Sequence, residues 1–224
     1  MTWTAIYLMI APGFFRRVTM NTIFDPLNLA LFIAAYLVGA ISAAIVTCRI
    51  LGLPDPRDSG SGNPGATNVL RLGGKKAALA TLLGDMLKGL VPVLVAQMLG
   101  VDALTLTLVG LAAFLGHLYP VFFGFRGGKG VATALGALLG LSPWVGGGVI
   151  LAWLVLAALF RYSSLAALGA SATAPLLAWW QFHSPGATTV LALMVGLLYW
   201  RHRGNIARLV RGEEGKIGEK KTGG

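Results

Sequence analysis

The sequence predicts an all-α integral membrane protein of seven transmembrane helices, with its N-terminus periplasmic and its C-terminus cytoplasmic. Three observations carry this expectation. Hydrophobic residues make up 56% of the 224 positions and charged residues only 12%, about half of the roughly 25% usual in soluble domains; the mean hydropathy is +0.75. Apolar runs of about 18 or more residues, each long enough to cross a bilayer, recur along the chain. Basic residues gather in alternate short loops, as the positive-inside bias requires.

The expected spans are roughly 27–51, 77–99, 103–123, 129–141, 143–160, 163–181 and 187–201. The fourth is short and glycine-rich, which tilt or local thinning of the bilayer accommodates. It could instead join the fifth as one bent helix broken at Pro143, leaving six spans. Loop charge favours seven. Loops 52–76, 124–128 and 161–162 and the tail from 202 then share one side, with Arg57, Arg71, Lys75, Lys76, Arg126, Arg161, Arg203, Arg208, Arg211, Lys216, Lys220 and Lys221. The opposite loops, near 100–102, 142 and 182–186, hold no Lys or Arg. Six spans would divide the basic loops between both faces.

Residues 27–217 read as one transmembrane domain, followed by a short tail, 218–224. Residues 1–26 form an N-terminal extension to which no function is assigned. Its apolar stretch precedes Arg16 and Arg17 rather than following them, unlike a signal peptide, and Met20 offers an alternative start. Cys48 lies in an apolar run, so disulfides play no part. The net charge of +10 is dispersed among loops, which points to anionic headgroups and an anionic substrate rather than nucleic acid.

Polar clusters are the informative exceptions in such a chain, and three fall on the expected cytoplasmic side. The first runs from Ser59 through Ser61, Gly62, Asn63, Pro64, Gly65, Thr67 and Asn68 to Arg71. Its glycines let several backbone N–H groups point at one anion, and Arg71 offers a bidentate fork for phosphate. A flexible Gly/Ser loop ending on a snorkelling Arg would look the same. The second joins Gly116, His117, Leu118, Tyr119 and Pro120 to Phe125, Arg126, Gly127, Gly128, Lys129, Gly130, Val131, Ala132 and Thr133. Lys129 stands among glycines at a helix start, where free N–H groups favour an anion; a topology-setting basic turn is the plain alternative. It is not a Walker A loop, because Phe123 and Gly130 occupy the required Gly and Ser/Thr positions.

The third cluster leaves the last span as Arg201, His202, Arg203, Gly204, Asn205, Ile206, Ala207 and Arg208. Arg201, Asn205 and Arg208 lie about one helical turn apart. Residues 208–221 read first as a polybasic lipid-attracting segment, but His202 and Asn205 are not needed for lipid attraction. Inside the second span, Asp85 and Lys88 share one helix face, as a buried ion pair or an ion path; Pro92 frees the Lys88 carbonyl, so a kink is expected there. No Cys/His/carboxylate set has metal-ligand spacing. No His is followed by Asp five residues on, so a His-x4-Asp general-base dyad is missing.

The motifs Ser-Gly-Asn-x-Gly-Ala-Thr-Asn-Val-x-Arg, Gly-His-x-Tyr-Pro-Val-Phe-x-x-Phe-Arg-Gly-Gly-Lys-Gly-Val-Ala-Thr and Arg-His-Arg-x-Asn-Ile-x-Arg-Leu resemble those of the bacterial acyl-phosphate-dependent glycerol-3-phosphate acyltransferases. The resemblance covers about residues 28–217. It implies transfer of the acyl group of acyl phosphate to the 1-hydroxyl of glycerol 3-phosphate, giving 1-acylglycerol 3-phosphate and phosphate in phospholipid synthesis. It implies a monomer in the bacterial inner membrane, working without metal or cofactor on a site facing the cytoplasm. Carried onto matching positions, it makes Ser61, Arg71, Lys129, His202 and Asn205 the catalytic set. Gly62, Asn63, Gly65, Asn68, His117, Gly127, Gly128, Gly130, Ser164 and Arg201 would bind substrate, with the acyl tail in an apolar groove.

Acyl phosphate is a mixed anhydride with a good leaving group, so its own phosphate can accept the hydroxyl proton; His202 as base is the alternative. Departures from the family pattern are Pro64, which stiffens its turn, and Gly204, where many relatives carry Glu. A transporter would also use a pair such as Asp85–Lys88, but its site belongs near the midplane between repeats, and no repeat is evident. Groove length depends on helix packing, so no chain-length preference follows from the sequence.

Overall fold

The computed structural model describes residues 23–218; the expectations for 1–22 and 219–224 lie outside these described residues. Within them, nine α-helices follow one another, α1 Pro26–Gly39, α2 Ala43–Ile50, α3 Ala66–Met98, α4 Ala103–Leu118, α5 Val131–Leu141, α6 Pro143–Phe160, α7 Ser163–Phe182, α8 Pro185–Arg201 and α9 Arg203–Val210, with a 3-10 turn at Val121–Phe123. Four stretches are long and apolar enough to cross a membrane, Pro26–Ile50, Ala66–Met98, Ala103–Phe123 and Pro143–Phe160, and Val131–Leu141 is a shorter apolar helix. Apolar side chains cover the outside as well as the core: Leu151, Leu176 and Met98 are exposed. That is the surface a helix bundle presents to lipid.

The first expected span is two helices rather than one. The chain breaks at Ala40–Ser42; the Ser42 hydroxyl accepts from the Ile45 N–H and caps α2. A break frees backbone carbonyls, which are costly to leave unpaired in lipid. Lys88 resolves this by donating from Nζ to the Ile41 carbonyl at 2.8 Å, while its charge meets Asp85 at 2.9 Å. The buried pair therefore serves the helix break.

The second expected span, 77–99, begins earlier, at Ala66, but contains a break at Gly74 (φ 74°, ψ −171°). That left-handed φ suits glycine. It separates a short helix bearing Arg71 from the long one. Pro92 lies within α3, whose non-helical interior backbone is at Gly74, not at the expected kink.

The fourth and fifth expected spans are separate helices, not one bent rod. Ser142 is extended (φ −162°, ψ 126°), and its hydroxyl caps the Trp144 and Val145 N–H groups and donates to Gln181 at 2.7 Å. Helix α5 packs on α3 and α4. The α3–α5 crossing uses small residues: a Cβ on Gly89 would overlap the Thr133 carbonyl, and one on Gly136 the Met86 carbonyl. Without a hydrophobic drive between helices in lipid, such close backbone approach supplies the attraction. Beside it, α5 to α8 line an apolar cleft.

Candidate active site

The loops bearing the three polar clusters meet at one end of the bundle. Arg57 donates to the Phe123 carbonyl at 3.1 Å and is held by Asp55 at 2.7 Å, so the first cluster is tied to the second. Arg126 meets Asp58 at 3.1 Å. Lys129 donates to the Asn205 side-chain oxygen, joining the second cluster to the third.

Several expected substrate ligands prove to be the builders of these loops. The buried Asn68 uses both amide hydrogens, on the Pro56 carbonyl at 2.8 Å and the Ser59 carbonyl at 2.9 Å, and its oxygen accepts the Ser61 N–H at 2.9 Å. It folds the 56–68 segment around itself and leaves the Ser61 residue exposed. Arg201 spends its guanidinium on the carbonyls of Gly127 (2.7 Å) and Gly128 (3.0 Å). His117 is buried. Its Nδ1 lies 3.5 Å from Asp85, and its Nε2 packs so close to Gly128 that a Cβ there would overlap it. The Gly128 N–H also donates to the His117 carbonyl at 3.2 Å. Glycine is required at 127 and 128 because the backbone lies directly on α4.

Two of the remaining predicted residues, Ser164 and Asn205, meet at one acidic group that the sequence reading left in the lipid-attracting tail. Glu214 Oε1 accepts from Ser164 Oγ and from Asn205 Nδ2, each at 2.6 Å, and Oε2 accepts from Arg208 Nε at 2.7 Å. Burial alone would raise the Glu214 carboxyl, but the hydrogen bonds from Ser164, Asn205 and Arg208 outweigh it and hold the group below its ordinary range. Adjacent acids, Glu213 and Glu214, in an otherwise basic tail were the available signal. The segment beyond α9 is also fastened at Ile217, whose N–H donates to the Arg161 carbonyl at 2.6 Å.

Lys129 lies outside helix α5, and its ammonium is lowered to about 8, first by burial and further by Arg208, Arg201 and Arg71, with Glu214 opposing. Arg71, exposed, thus contributes its charge near Lys129. His202, beyond the end of α8, is lowered to about 4, chiefly by burial. Its Nδ1 faces the Leu198 carbonyl at 2.8 Å; a carbonyl only accepts, so Nδ1 carries the proton and Nε2 is left as an acceptor. The region therefore combines a neutral imidazole, a readily polarised ammonium and a set of hydroxyl and amide donors collected around an anion. Asn63 and Gly65 form the turn of the first loop, with the Gly65 N–H on the Asn63 carbonyl at 2.9 Å. Gly62 and Gly130 adopt φ of 69° and 85°. Gly130 is buried against Phe114. Among the described residues, no group of three His, Cys, Asp or Glu side chains could hold a metal ion.

Comparison with known proteins agrees with this geometry. Residues 29–212 match the family model described as glycerol-3-phosphate acyltransferase. The glycerol-3-phosphate acyltransferase of Thioalkalivibrio sulfidiphilus is 58% identical over 191 residues, 85% of this chain and 94% of its own. That of Methylococcus capsulatus is 54% identical over 196 residues, 88% of this chain and 99% of its own. The fold matches the crystal structure of PlsY (YgiH), an integral membrane glycerol 3-phosphate acyltransferase, in its glycerol 3-phosphate form, with a TM-score of 0.81 at 44% identity over 85% of this chain and 96% of that one. Its lysophosphatidic acid form gives a TM-score of 0.79 at 43% identity, over 85% and 95%. With motifs, fold and nearly full-length similarity in agreement, the chain belongs to the glycerol-3-phosphate acyltransferase family and is a membrane-embedded acyltransferase.

Proposed function

We propose that this enzyme transfers the acyl group of acyl phosphate to the 1-hydroxyl of glycerol 3-phosphate, the first acylation of phospholipid synthesis. The observation that carries the reading is the convergence of Ser164, Asn205 and Arg208 on one anionic group, with Lys129 donating to that same Asn205, about one helical turn from the lining of an apolar cleft. A phosphate presents the same acceptor chemistry as the carboxylate those donors now hold. Relatives solved with glycerol 3-phosphate and with lysophosphatidic acid are named for a substrate and product of this reaction.

In this reading Arg71, Lys129 and Ser61 hold the phosphate of glycerol 3-phosphate, with Ser164, His202 and Asn205 orienting its glycerol hydroxyls. The Gly62–Gly65 and Gly127–Gly130 loops clamp the acyl phosphate. Asn68, His117 and Arg201 act by fixing those loops. The 1-hydroxyl oxygen attacks the acyl carbon, the bond from that carbon to the phosphate oxygen breaks, and the departing phosphate takes the hydroxyl proton. The protein supplies position and charge stabilisation. His202 Nε2 accepts a hydrogen bond and orients the nucleophile. The enzyme works as a monomer crossing the bacterial inner membrane seven times, with this end in the cytoplasm.

The test is phosphate release by the purified protein given palmitoyl phosphate and glycerol 3-phosphate. Phosphate and 1-acylglycerol 3-phosphate should appear in equal amounts. Lys129→Ala and Arg71→Ala should each lose about 100-fold or more in kcat/KM, the scale set by removing a positioned donor to developing charge. Transfer from a thioester donor, and none from acyl phosphate, would overturn the donor assignment.

A further inference from the structure

The apolar cleft is lined by α5, α6, α7 and α8, and three of its lining side chains also border a second cavity. Its lining begins within about one helical turn of three site residues: Val131 follows Lys129 by two positions, Ala167 follows Ser164 by three, and Leu198 precedes His202 by four. From there it runs along α5 as far as Leu138, seven residues or about 10 Å. Its lining is almost wholly hydrocarbon; Ser171 is the polar exception.

A second, smaller cavity adjoins it, against Leu106, Thr107 and Gly110 of α4. Leu138, Leu191 and Met194 line both cavities and are almost fully buried, at 5%, 3% and 4% exposure. They form a partition of three side chains between two empty spaces.

We infer that Leu138, Leu191 and Met194 are the ruler that sets the acyl chain length this enzyme prefers. The inference rests on the donor reading above and deepens it. The occupant of the cleft is the tail of the donor and product, because its lining begins about one helical turn from the residues that would hold their phosphates. Each methylene buried in the cleft strengthens binding about fourfold. That gain continues until the terminal methyl meets the partition, and further carbons must bend back or displace it. Met194 is the unbranched, adaptable member of the partition. Shortening it would connect the second cavity to the first.

The experiment measures kcat/KM for acyl phosphates of increasing chain length, in steps of two carbons, with the intact protein in one detergent. Variants are compared with wild type at each length, so that detergent partitioning of the donor cancels. Met194→Ala should move the optimum longer by at least two carbons. It should raise the ratio of longest to optimal substrate about tenfold, given fourfold per newly buried methylene. Ala170→Phe, which fills the middle of the cleft, should move the optimum shorter. The two shifts are opposite, so general destabilisation cannot produce both, and Met194→Ala carries the test alone if Ala170→Phe fails to fold. Met194→Ala altering all lengths by one common factor would overturn the ruler while leaving the donor assignment intact. Inactivity of wild type with acyl phosphate of every length would overturn the donor assignment, and the ruler with it.

Discussion

Lys129 and His202 lie near enough to feel one another and are both pushed toward neutrality, with different consequences. Lys129, lowered to about 8, is charged below that pH and neutral above it. A phosphate site needs the charged form, so kcat/KM should fall as pH rises through about 8. Saturation with anionic substrates should move that limb upward in kcat, because a bound phosphate favours the ammonium. Lys129→Arg stays protonated and should remove the alkaline limb even where it slows the reaction; a limb unchanged in that variant would take Lys129 out of the assignment. His202, lowered to about 4, is neutral throughout this range, so kcat should show no limb near the ordinary His value of about 6.5. A steep loss near that value, abolished in His202→Asn, would make His202 the base. Glu214 is the residue the sequence hid. Its pairing with Glu213 in a basic tail is the one local signal, and a solvated tail acid looks the same until the chain turns back at Gly212 and places Glu214 against Ser164.

At the scale of elements, boundaries are set by local chemistry that the sequence carries openly. Asp102 and Ser142 cap the helices that follow them. Breaks inside spans are harder. The turn at Ala40–Ser42 has no proline beside it and depends on Lys88, 47 residues away, to satisfy the Ile41 carbonyl. Helix α5 is short, at 11 residues, because its role is to sit tightly between α3 and α4 rather than to face lipid. That packing yields a prediction. Gly136→Val would force a side chain onto the Met86 carbonyl and should cost about 1–3 kcal/mol, the range for overpacking, seen as a lowered Tm in detergent. Gly147→Val is the control, since nothing lies within 4 Å of its Cβ position. Equal effects of the two would show that the crossing is not close-packed as described.

For the whole molecule, the clustering of polar loops at one end and apolar faces elsewhere predicts its topology. Cys48 is buried, so introduced thiols can be read against a quiet background. A thiol reagent that cannot cross membranes, added to intact cells, should label Leu99→Cys at the far end of α3 and spare Glu213→Cys beside the site. Opening the cells should expose the second. Labelling of Glu213→Cys in intact cells would invert the orientation.

The class of the molecule, the three polar segments and the residue types in them follow from composition and motif alone, because lipid exposure demands long apolar runs and anion binding demands glycine, lysine, arginine and asparagine near one another. Tertiary structure decided the division of labour. Asn68, Arg201 and His117 carry the same signals as Ser164 and Asn205, yet their polar groups are turned toward backbone or a buried acid, while the latter two face a common anion. Which way a polar side chain points, and where an apolar cleft ends, depend on contacts between helices far apart in sequence. Local propensity carries no record of them.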